Sequence, residues 1–348
     1  MKTPDNTYTR AKELPGILRK RIAILDGAMG TMIQRFKLTE ENFRSERFKD
    51  FHKDVKGNNE LLSLTRPDVI LDIHRGYLAS GADLIETNTF GATTIAQADY
   101  DMQEYAVEMN AASTKLARRA CDEFSTADKP RFVVGALGPT PKTASLSPDV
   151  NDPGARNVTF EELRAAYFQQ VQALVENGAD VLMVETIFDT LNAKAALFAI
   201  EEYFDQSKER LPLIISGTVT DASGRILSGQ TVTAFWHSIR HAKPLAVGLN
   251  CALGAALMRP YMQELSKIAV DTFISCYPNA GLPNPMSDTG FDETPEVTSR
   301  LLHDFASSGL VNILGGCCGT TPEHIAAIAK SVDSLQTRKI TRGVFYAE

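Results

Sequence analysis

Three cysteines are the residues of this sequence whose type and spacing best suit metal chemistry. Cys251 ends the segment Gly-Leu-Asn-Cys, and Cys317 and Cys318 are adjacent within Gly-Gly-Cys-Cys-Gly. Thiolate sulfur is a preferred ligand of zinc, and a site with three protein ligands keeps a fourth position open for substrate. Successive residues of a regular strand point to opposite faces, so Cys317 and Cys318 can share an ion only if the chain turns there. The flanking glycines allow such a turn. We therefore predict a metal site made of Cys251, Cys317 and Cys318.

The two other cysteines have no comparable pattern. Cys121 and Cys276 stand alone, and free cysteines are commonly small buried hydrophobic residues. We predict that role for both. A buried hydrophobic role is also the alternative for Cys251, Cys317 and Cys318, but the pairing of a glycine-rich Cys-Cys turn with a third cysteine disfavours it there. An odd number of cysteines, five in 348 residues, does not resemble a disulfide framework.

Composition and charge exclude several classes of protein. The formal net charge of −7 is unlike that of a nucleic-acid-binding protein or a basic membrane-surface protein. The sequence contains neither a run of eighteen apolar residues nor an apolar segment near its start that would suit a signal peptide. We expect a cytoplasmic protein that binds neither nucleic acid nor membranes.

Short apolar runs alternate with helical patterns along almost the whole chain. Most of these runs are continuously apolar, which is typical of parallel strands buried on both faces. The eight predicted strands are Ile22–Asp26, Leu84–Thr87, Phe132–Ala136, Val181–Glu185, Leu213–Thr218, Leu245–Leu249, Thr272–Cys276 and Asn312–Leu314. Eight such units fit either a closed (β/α)8 TIM barrel or an open doubly wound sheet. The first strand lacks the G-x-G-x-x-G turn that the open sheet would need, so we predict a single barrel over residues 1–332, including an N-terminal extension, and a polar C-terminal tail over residues 333–348.

Helix signals agree with this alternation. Thr159 and Glu162 form the pattern of a capping box. Pro67 and Pro322 stand where proline is favoured, at the first position of a helix. Three helix-to-strand junctions are alike: Ser-Gly-Ala-Asp at 80–83, Asn-Gly-Ala-Asp at 177–180 and Ser-Gly-Leu-Val at 308–311.

The residues of chemical interest lie where the predicted strands end. Asp26 ends the first strand and Glu185 the fourth, while Cys251 follows the sixth strand and the Cys317-Cys318 turn follows the eighth. The carboxyl ends of all strands of a barrel meet on one face, where such enzymes have their active sites. We therefore expect these side chains to surround one pocket. Glu86 and Asn88 end another strand on this face, as pocket-lining or structural residues.

The sequence resembles the homocysteine S-methyltransferase family, and within it most closely the homocysteine-binding module of cobalamin-dependent methionine synthases. The resemblance extends over about residues 20 to 332, and its motifs come in order at matching strand ends. They are LDGAMGT at 25–31, KGNNELL at 56–62, ETNTFG at 86–91, GALGP at 135–139, VETIFD at 184–189, GLNC at 248–251, YPNAG at 277–281 and GGCCGT at 315–320.

This resemblance implies a (β/α)8 barrel, a zinc ion and transfer of a methyl group to the sulfur of homocysteine. Asp26 and Glu185 then become the expected partners of the substrate ammonium group. The backbone N–H groups of Gly27 and Ala28 are candidates for its carboxylate, since glycine permits close approach. Asn279, which follows the seventh strand, is a candidate to approach the zinc when substrate is absent; a turn residue in Pro-Asn-Ala-Gly is the alternative.

Three functions remain open at this point. In methionine synthases this module is followed by folate, cobalamin and activation modules, which are absent from the present sequence. We therefore expect a homocysteine-binding subunit whose methyl donor, methylcobalamin, is carried by a separate polypeptide that binds cobalamin and folate. The alternative is a stand-alone enzyme that uses betaine or S-methylmethionine. The third possibility is a non-catalytic zinc-thiolate protein for metal storage or redox sensing.

Overall fold

The computed structural model describes residues 8–220, 223–287 and 290–340, and eight strands form its centre. Each predicted strand is present, and the differences lie at the ends, notably in the sixth and seventh strands, which extend further than predicted. The strands are β1 (Ala23–Ile24), β2 (Leu84–Glu86), β3 (Phe132–Leu137), β4 (Val181–Ile187), β5 (Leu213–Gly217), β6 (Ala246–Gly254), β7 (Phe273–Asn279) and β8 (Ile313–Leu314).

The strands form one parallel sheet in the order β1-β8-β7-β6-β5-β4-β3-β2. Its two outer strands meet through a parallel bridge between Leu25 and Leu84. The Asp26 N–H donates to the Leu84 carbonyl at 3.0 Å, and the Asp83 N–H donates to the Ile24 carbonyl at 2.7 Å. These bonds close the sheet, so the chain is a (β/α)8 barrel, as predicted, and not a doubly wound open sheet.

Helices surround this barrel. They are α1 (Leu14–Lys20), α2 (Met29–Arg35), α3 (Glu40–Arg44), α4 (Leu62–Thr65), α5 (Pro67–Ala79), α6 (Thr94–Gln97), α7 (Ala106–Phe124), α8 (Phe160–Glu176), α9 (Thr190–Ser207), α10 (Val232–Ile239), α11 (Ala255–Ile268), α12 (Pro295–Ser307) and α13 (Pro322–Val332). Short 3₁₀ segments lie at Asn59–Leu61, Ala98–Tyr100, Gln103–Tyr105 and Arg240–Ala242. The predicted capping box is present at the start of α8, and Pro67 and Pro322 open their helices. Among the described residues, no helix is both long and apolar enough to cross a membrane.

The three similar helix-to-strand junctions share a structural role. Gly81, Gly178 and Gly309 have φ values of +104°, +111° and +67°, which glycine adopts without strain. The residue just before the following strand then accepts a hydrogen bond from a backbone N–H of a neighbouring strand. Asp83 accepts from Ile24 at 2.8 Å, Asp180 from Val133 at 2.8 Å and Asn312 from Ile274 at 2.9 Å. Asp83 and Asp180 belong to the repeated sequence, whereas Asn312 follows the third copy, so the three junctions align adjacent strands in a similar way with one residue more in the third.

The amino end of the barrel is closed from inside the chain. Leu14 and Leu18 of α1 are fully buried in one apolar cluster with residues from the strand beginnings, such as Leu84, Val181 and Phe273. This packing shields one end of the barrel from water. It leaves the carboxyl ends of the strands as the face on which a site can open.

Part of the predicted polar tail packs against this closed end. Arg338 donates to the carbonyls of Thr272 at 3.0 Å and Ala269 at 2.9 Å, and Asn312 donates to the Arg338 carbonyl at 2.7 Å. Thr337 is also buried. Residues 341–348 of the predicted tail and residues 1–7 of the predicted N-terminal extension lie outside the described part of the chain.

His74, on α5, is fully buried, and neither of its ring nitrogens has a hydrogen-bond partner among the described residues. Burial lowers its pKa to about 4, below the ~6.5 of an exposed histidine. The unfolded chain therefore binds more protons between these two values, and stability that is present above about pH 6.5 is lost as pH falls towards about pH 4.

We expect His74 to reduce the free energy of unfolding by about 2 kcal/mol between pH 7 and pH 5. Replacing it with an apolar side chain, as in His74→Leu, should remove this share of the acid sensitivity. Urea unfolding at the two pH values measures the difference between variant and wild type. His303→Leu, on the exposed side of α12, is the control and should keep the wild-type slope. An unchanged slope in His74→Leu would contradict the assignment.

Candidate metal and substrate site

Cys251 lies in a break in β6. The pairing of β6 with β7 is regular up to Asn250 and Tyr277 and resumes only at Gly254 and Asn279. Within this break Cys251 and Ala252 have φ values of +58° and +56°, a backbone region that residues other than glycine seldom adopt. The prediction placed Cys251 just after a regular strand. In the structure it stands in a bulge within the strand, which changes the direction of its side chain.

The glycine-rich segment after β8 forms the turn that two adjacent metal ligands require. The Gly316 N–H donates to the Asp26 carbonyl at 3.1 Å, and the Cys317 N–H donates to the Pro278 carbonyl at 2.8 Å. A Cβ atom on Gly316 would come within 2.4 Å of the Thr320 side chain. The turn is thus fixed to the ends of β1 and β7, and glycine is needed where it packs against its own continuation.

The three predicted cysteines come together. The Cys251 and Cys318 Sγ atoms are 3.9 Å apart, those of Cys317 and Cys318 are 4.0 Å apart, and all three lie within 4.8 Å of one another. Three sulfurs at ~2.3 Å from one tetrahedral ion would be about 3.8 Å apart. Within residues 8–220, 223–287 and 290–340, no other group of three histidine, cysteine or acidic side chains has this geometry. The cluster therefore fits a thiophilic metal ion.

The electrostatics of the cluster agree with this fit. Hydrogen bonds from the Cys317 and Cys318 thiols lower the pKa of Cys251. The same hydrogen bonds to the Cys251 sulfur raise the pKa of Cys317 and the pKa of Cys318. One thiolate thus forms readily and makes the next ionisations harder, because negative charge accumulates in a poorly solvated place. A bound cation would remove that opposition and hold all three as thiolates.

Asn279 lies beside the cluster. Its side-chain oxygen accepts a hydrogen bond from the Cys318 N–H at 3.1 Å, and its side chain also hydrogen-bonds the Cys251 thiol, which lowers the pKa of that thiol. It is nearly fully buried. This position is compatible with the predicted approach to a metal ion, which stays a prediction.

Two buried carboxyl groups, of Asp26 and Glu185, and the half-buried carboxyl group of Glu86 line the same cavity as the cluster. Asp26 accepts the Glu86 N–H at 3.0 Å through Oδ2, while its buried Oδ1 has no partner among the described residues. Burial raises the pKa of Asp26 and of Glu86 well above their ordinary values, and it raises the pKa of Glu185 to about 7. The side chains of Glu86 and Glu185 also hydrogen-bond each other. An unpaired acceptor within a group of neighbouring acids is what a ligand ammonium group would satisfy.

A cavity of about 360 Å³ joins the cysteines to the carboxylates. Its lining includes every predicted site residue except Asn279, namely Asp26, Gly27, Ala28, Glu185, Cys251, Cys317 and Cys318. A Cβ atom on Gly27 would come within 2.8 Å of Tyr77 and Thr320. The Ala28 N–H donates to Thr320 Oγ1 at 3.2 Å, so binding a carboxylate there would require it to exchange or share this partner.

Other cavity residues carry a weaker signal in the sequence. The position of Glu86 at a strand end predicts a lining role and a structural role equally well. Glu60 and Tyr277 also line the cavity. Glu60 belongs to a 3₁₀ segment in the long connection after β1, and its motif, Gly-Asn-Asn-Glu, predicts no role for it by itself.

The two cysteines that the sequence predicts as buried hydrophobic residues lie elsewhere, and so do four of the histidines. Cys121 and Cys276 are fully buried in the core, and burial raises the pKa of each, that of Cys121 to about 12. His324 hydrogen-bonds Thr321 and the Glu293 carbonyl. None of His237, His241, His303 and His324 lines the cavity.

Comparison with solved structures finds the homocysteine methyltransferase MmuM from Escherichia coli in three forms. The metallated form is 22% identical to this chain with a TM-score of 0.68, and the match covers 90% of this chain and 96% of that one. The oxidized form is 21% identical, with a TM-score of 0.68 and coverage of 89% and 95%. The apo form is 21% identical, with a TM-score of 0.64 and coverage of 90% and 97%. At this identity the likeness establishes a shared fold.

Comparison with sequence models of protein families shows to which family the chain is related. The homocysteine S-methyltransferase family matches residues 23–332, from the first strand of the barrel to the end of α13. The matched region contains the thiol cluster, all three carboxylates and the cavity between them. This chain therefore belongs to the homocysteine S-methyltransferase family.

Proposed function

We propose that this chain transfers a methyl group to the sulfur of homocysteine, with a zinc ion held by Cys251, Cys317 and Cys318. The observation that carries the proposal is one cavity with three convergent thiols on one side and the unpaired Asp26 carboxylate oxygen on the other. Homocysteine has a thiol at one end and an ammonium group at the other, so its two ends match the two sides of the cavity. A metal store or redox sensor would have no use for the carboxylates.

The metal and the protein have separate tasks in this proposal. An ordinary thiol has a pKa of ~8.5, and zinc bound here would make the substrate sulfur a thiolate at neutral pH. Asp26 and Glu185 hold the ammonium group, which fixes the distance of the sulfur from the cysteines. Binding a cation also favours the ionised form of carboxyl groups whose pKa burial has raised. The sulfur lone pair then forms the new bond to the methyl group, and the bond from methyl to donor breaks with its electron pair staying on the donor.

The donor separates two versions of this function. The match covers 96% of the MmuM chain, so that homocysteine methyltransferase is about as long as one barrel. This length favours a stand-alone enzyme with a small donor over the function that the sequence motifs predict, a subunit that receives its methyl group from methylcobalamin on a partner polypeptide. The second version keeps support from the motifs that resemble the methionine synthase module, and it remains the second candidate.

The composition of the cavity also supports a small cationic donor. Four carboxyl groups line it, those of Asp26, Glu60, Glu86 and Glu185, whereas homocysteine brings a single ammonium group. Burial raises the pKa of Glu60, whose carboxylate accepts the Gly91 N–H at 2.8 Å. Phe90 and Phe291 line the same cavity, and aromatic rings attract sulfonium and quaternary ammonium groups. Betaine and S-methylmethionine carry such groups.

The purified chain should contain about one zinc ion, and Cys251→Ala, Cys317→Ala and Cys318→Ala should each remove most of it. Two thiolates hold zinc much less well than three, and the fourth position belongs to substrate. Elemental analysis after desalting measures the content. Cys121→Ala and Cys276→Ala are the controls, because they also remove a buried thiol but leave the cluster complete. Normal zinc content in Cys318→Ala would exclude the three-thiolate site.

Asp26→Asn and Glu185→Gln should weaken homocysteine binding by about 10-fold or more, because each removes a charge-assisted hydrogen bond to the ammonium group. Calorimetric titration of the zinc-loaded variants measures the affinity. Their zinc content should stay at the wild-type level. Wild-type homocysteine affinity in both variants would mean that the ammonium group binds elsewhere.

The donor is identified by supplying homocysteine with betaine, S-methylmethionine or free methylcobalamin and measuring methionine. We expect turnover with one of the cationic donors at ~1 s⁻¹ or more. Glu60→Gln should raise the KM for that donor and leave the homocysteine affinity unchanged, which is the reverse of the result expected for Glu185→Gln. Activity with methylcobalamin alone would establish the second candidate instead.

A further inference from the structure

Asn250 links two strands that each supply a functional side chain. It is the last regularly paired residue of β6 and is fully buried, and it does not line the cavity. Its side-chain oxygen accepts from Ser216 Oγ at 2.7 Å and from the Thr186 N–H at 3.2 Å. Its side-chain nitrogen donates to Thr186 Oγ1 at 2.8 Å. The side-chain amide of Asn250 thus spans β5 and hydrogen-bonds both the backbone and the side chain of Thr186.

Thr186, the residue that Asn250 contacts, lies at an irregular point of β4. The pairing of β4 with β5 shifts between Val184 and Ile187, so Glu185 and Thr186 form a bulge. Thr186 has a φ of +53°, which is unfavourable for a β-branched residue and persists only where neighbouring groups enforce it. Its N–H, displaced from the regular ladder by the bulge, finds its acceptor in Asn250. The direction of the adjacent Glu185 therefore depends on this amide.

The backbone of Asn250 lies at the break in β6. The next residue, Cys251, begins the two-residue stretch with positive φ. Thr218 Oγ1 donates to the Asn250 carbonyl at 3.0 Å, so the backbone just before the break is held to β5 as well. Asn250 therefore marks the point at which β6 leaves regular pairing and turns Cys251 towards the other two cysteines.

We propose that Asn250 is a positioning residue that fixes Cys251 and Glu185 relative to each other, and so sets the separation between the thiol cluster and the ammonium-binding carboxylate. The proposal rests on the proposed function. Asparagine suits the task because its side chain combines an acceptor and a donor. Aspartate would lack the donor to Thr186 and would add charge beside Glu185, and leucine would leave the Thr186 N–H unpaired.

The test compares Asn250→Ala with a matched variant at the opposite end of the barrel. Asn312 is also fully buried, accepts a strand N–H and donates to a threonine hydroxyl, that of Thr337 at 2.8 Å. Both Asn250→Ala and Asn312→Ala should lower the melting temperature. Only Asn250→Ala should lower the zinc affinity, by about 10-fold or more, in competition with a chromophoric chelator well below the melting transition. It should also weaken homocysteine binding to the zinc-saturated protein.

A second variant tests the link to β4 even if Asn250→Ala fails to fold. Thr186→Val keeps the shape of the side chain and loses Oγ1, which accepts from Asn250 at 2.8 Å and donates to Glu185 Oε2 at 3.5 Å, so it breaks the connection from Asn250 to Glu185. We expect it to weaken homocysteine binding several-fold with zinc affinity near that of the wild type. Wild-type homocysteine affinity in Thr186→Val, or Asn250→Ala matching Asn312→Ala in every measurement, would overturn the proposal. A wild-type chain that binds zinc but not homocysteine would instead overturn the proposed function, and the zinc affinities would still decide whether Asn250 positions Cys251.

Discussion

The alternation of side chains along a regular strand is the constraint on which this site depends. In a barrel it sends successive residues alternately inward and outward, so a strand that stays regular cannot turn adjacent side chains to one ligand. Glu185 and the three cysteines lie where this regularity ends: at the bulge of β4, at the break in β6 and in the turn after β8. Closure of the barrel brings these irregular ends to one face. The regular strands hold the barrel together, and the irregular segments orient the cysteines and Glu185 towards the cavity.

The crowding of acidic groups is the second property that shapes the site. Three thiols and four carboxyl groups line one cavity, and burial raises the pKa of each of these carboxyl groups. Such an arrangement opposes its own ionisation until cations enter. A metal ion at the thiols and an ammonium group at the carboxylates each relieve this opposition. Both ligands then favour the charged form of the groups that bind them. Under the proposed function, the site should therefore prefer a molecule that combines a thiol with a positive charge.

The sequence revealed the fold and the convergent residues because both rest on local patterns. Continuous apolar runs separated by capped helices predicted the eight strands, and placement at strand ends predicted that Asp26, Glu185 and the cysteines would meet. It did not reveal what depends on packing between distant segments. The bulges at Thr186 and Cys251 leave no compositional signal, since neither is glycine. The role of Asn250 depends on a contact across β5, and the place of Glu60 depends on how a long connection folds over the barrel.

The two halves of the proposed reaction are built on different parts of the chain, and this affects what can vary between relatives. The thiol half uses strand ends and turns that the barrel fixes, with glycines at 315 and 316 packed against β1 and against Thr320. The other side of the cavity is lined by connections, among them Glu60 after β1 and Phe90 after β2. Connections tolerate substitution far better than a closed sheet does. Under the proposed function, a barrel of this kind could keep one way of activating homocysteine while its connections adapt to different methyl donors, and we expect residues such as Glu60 and Phe90 to influence donor preference.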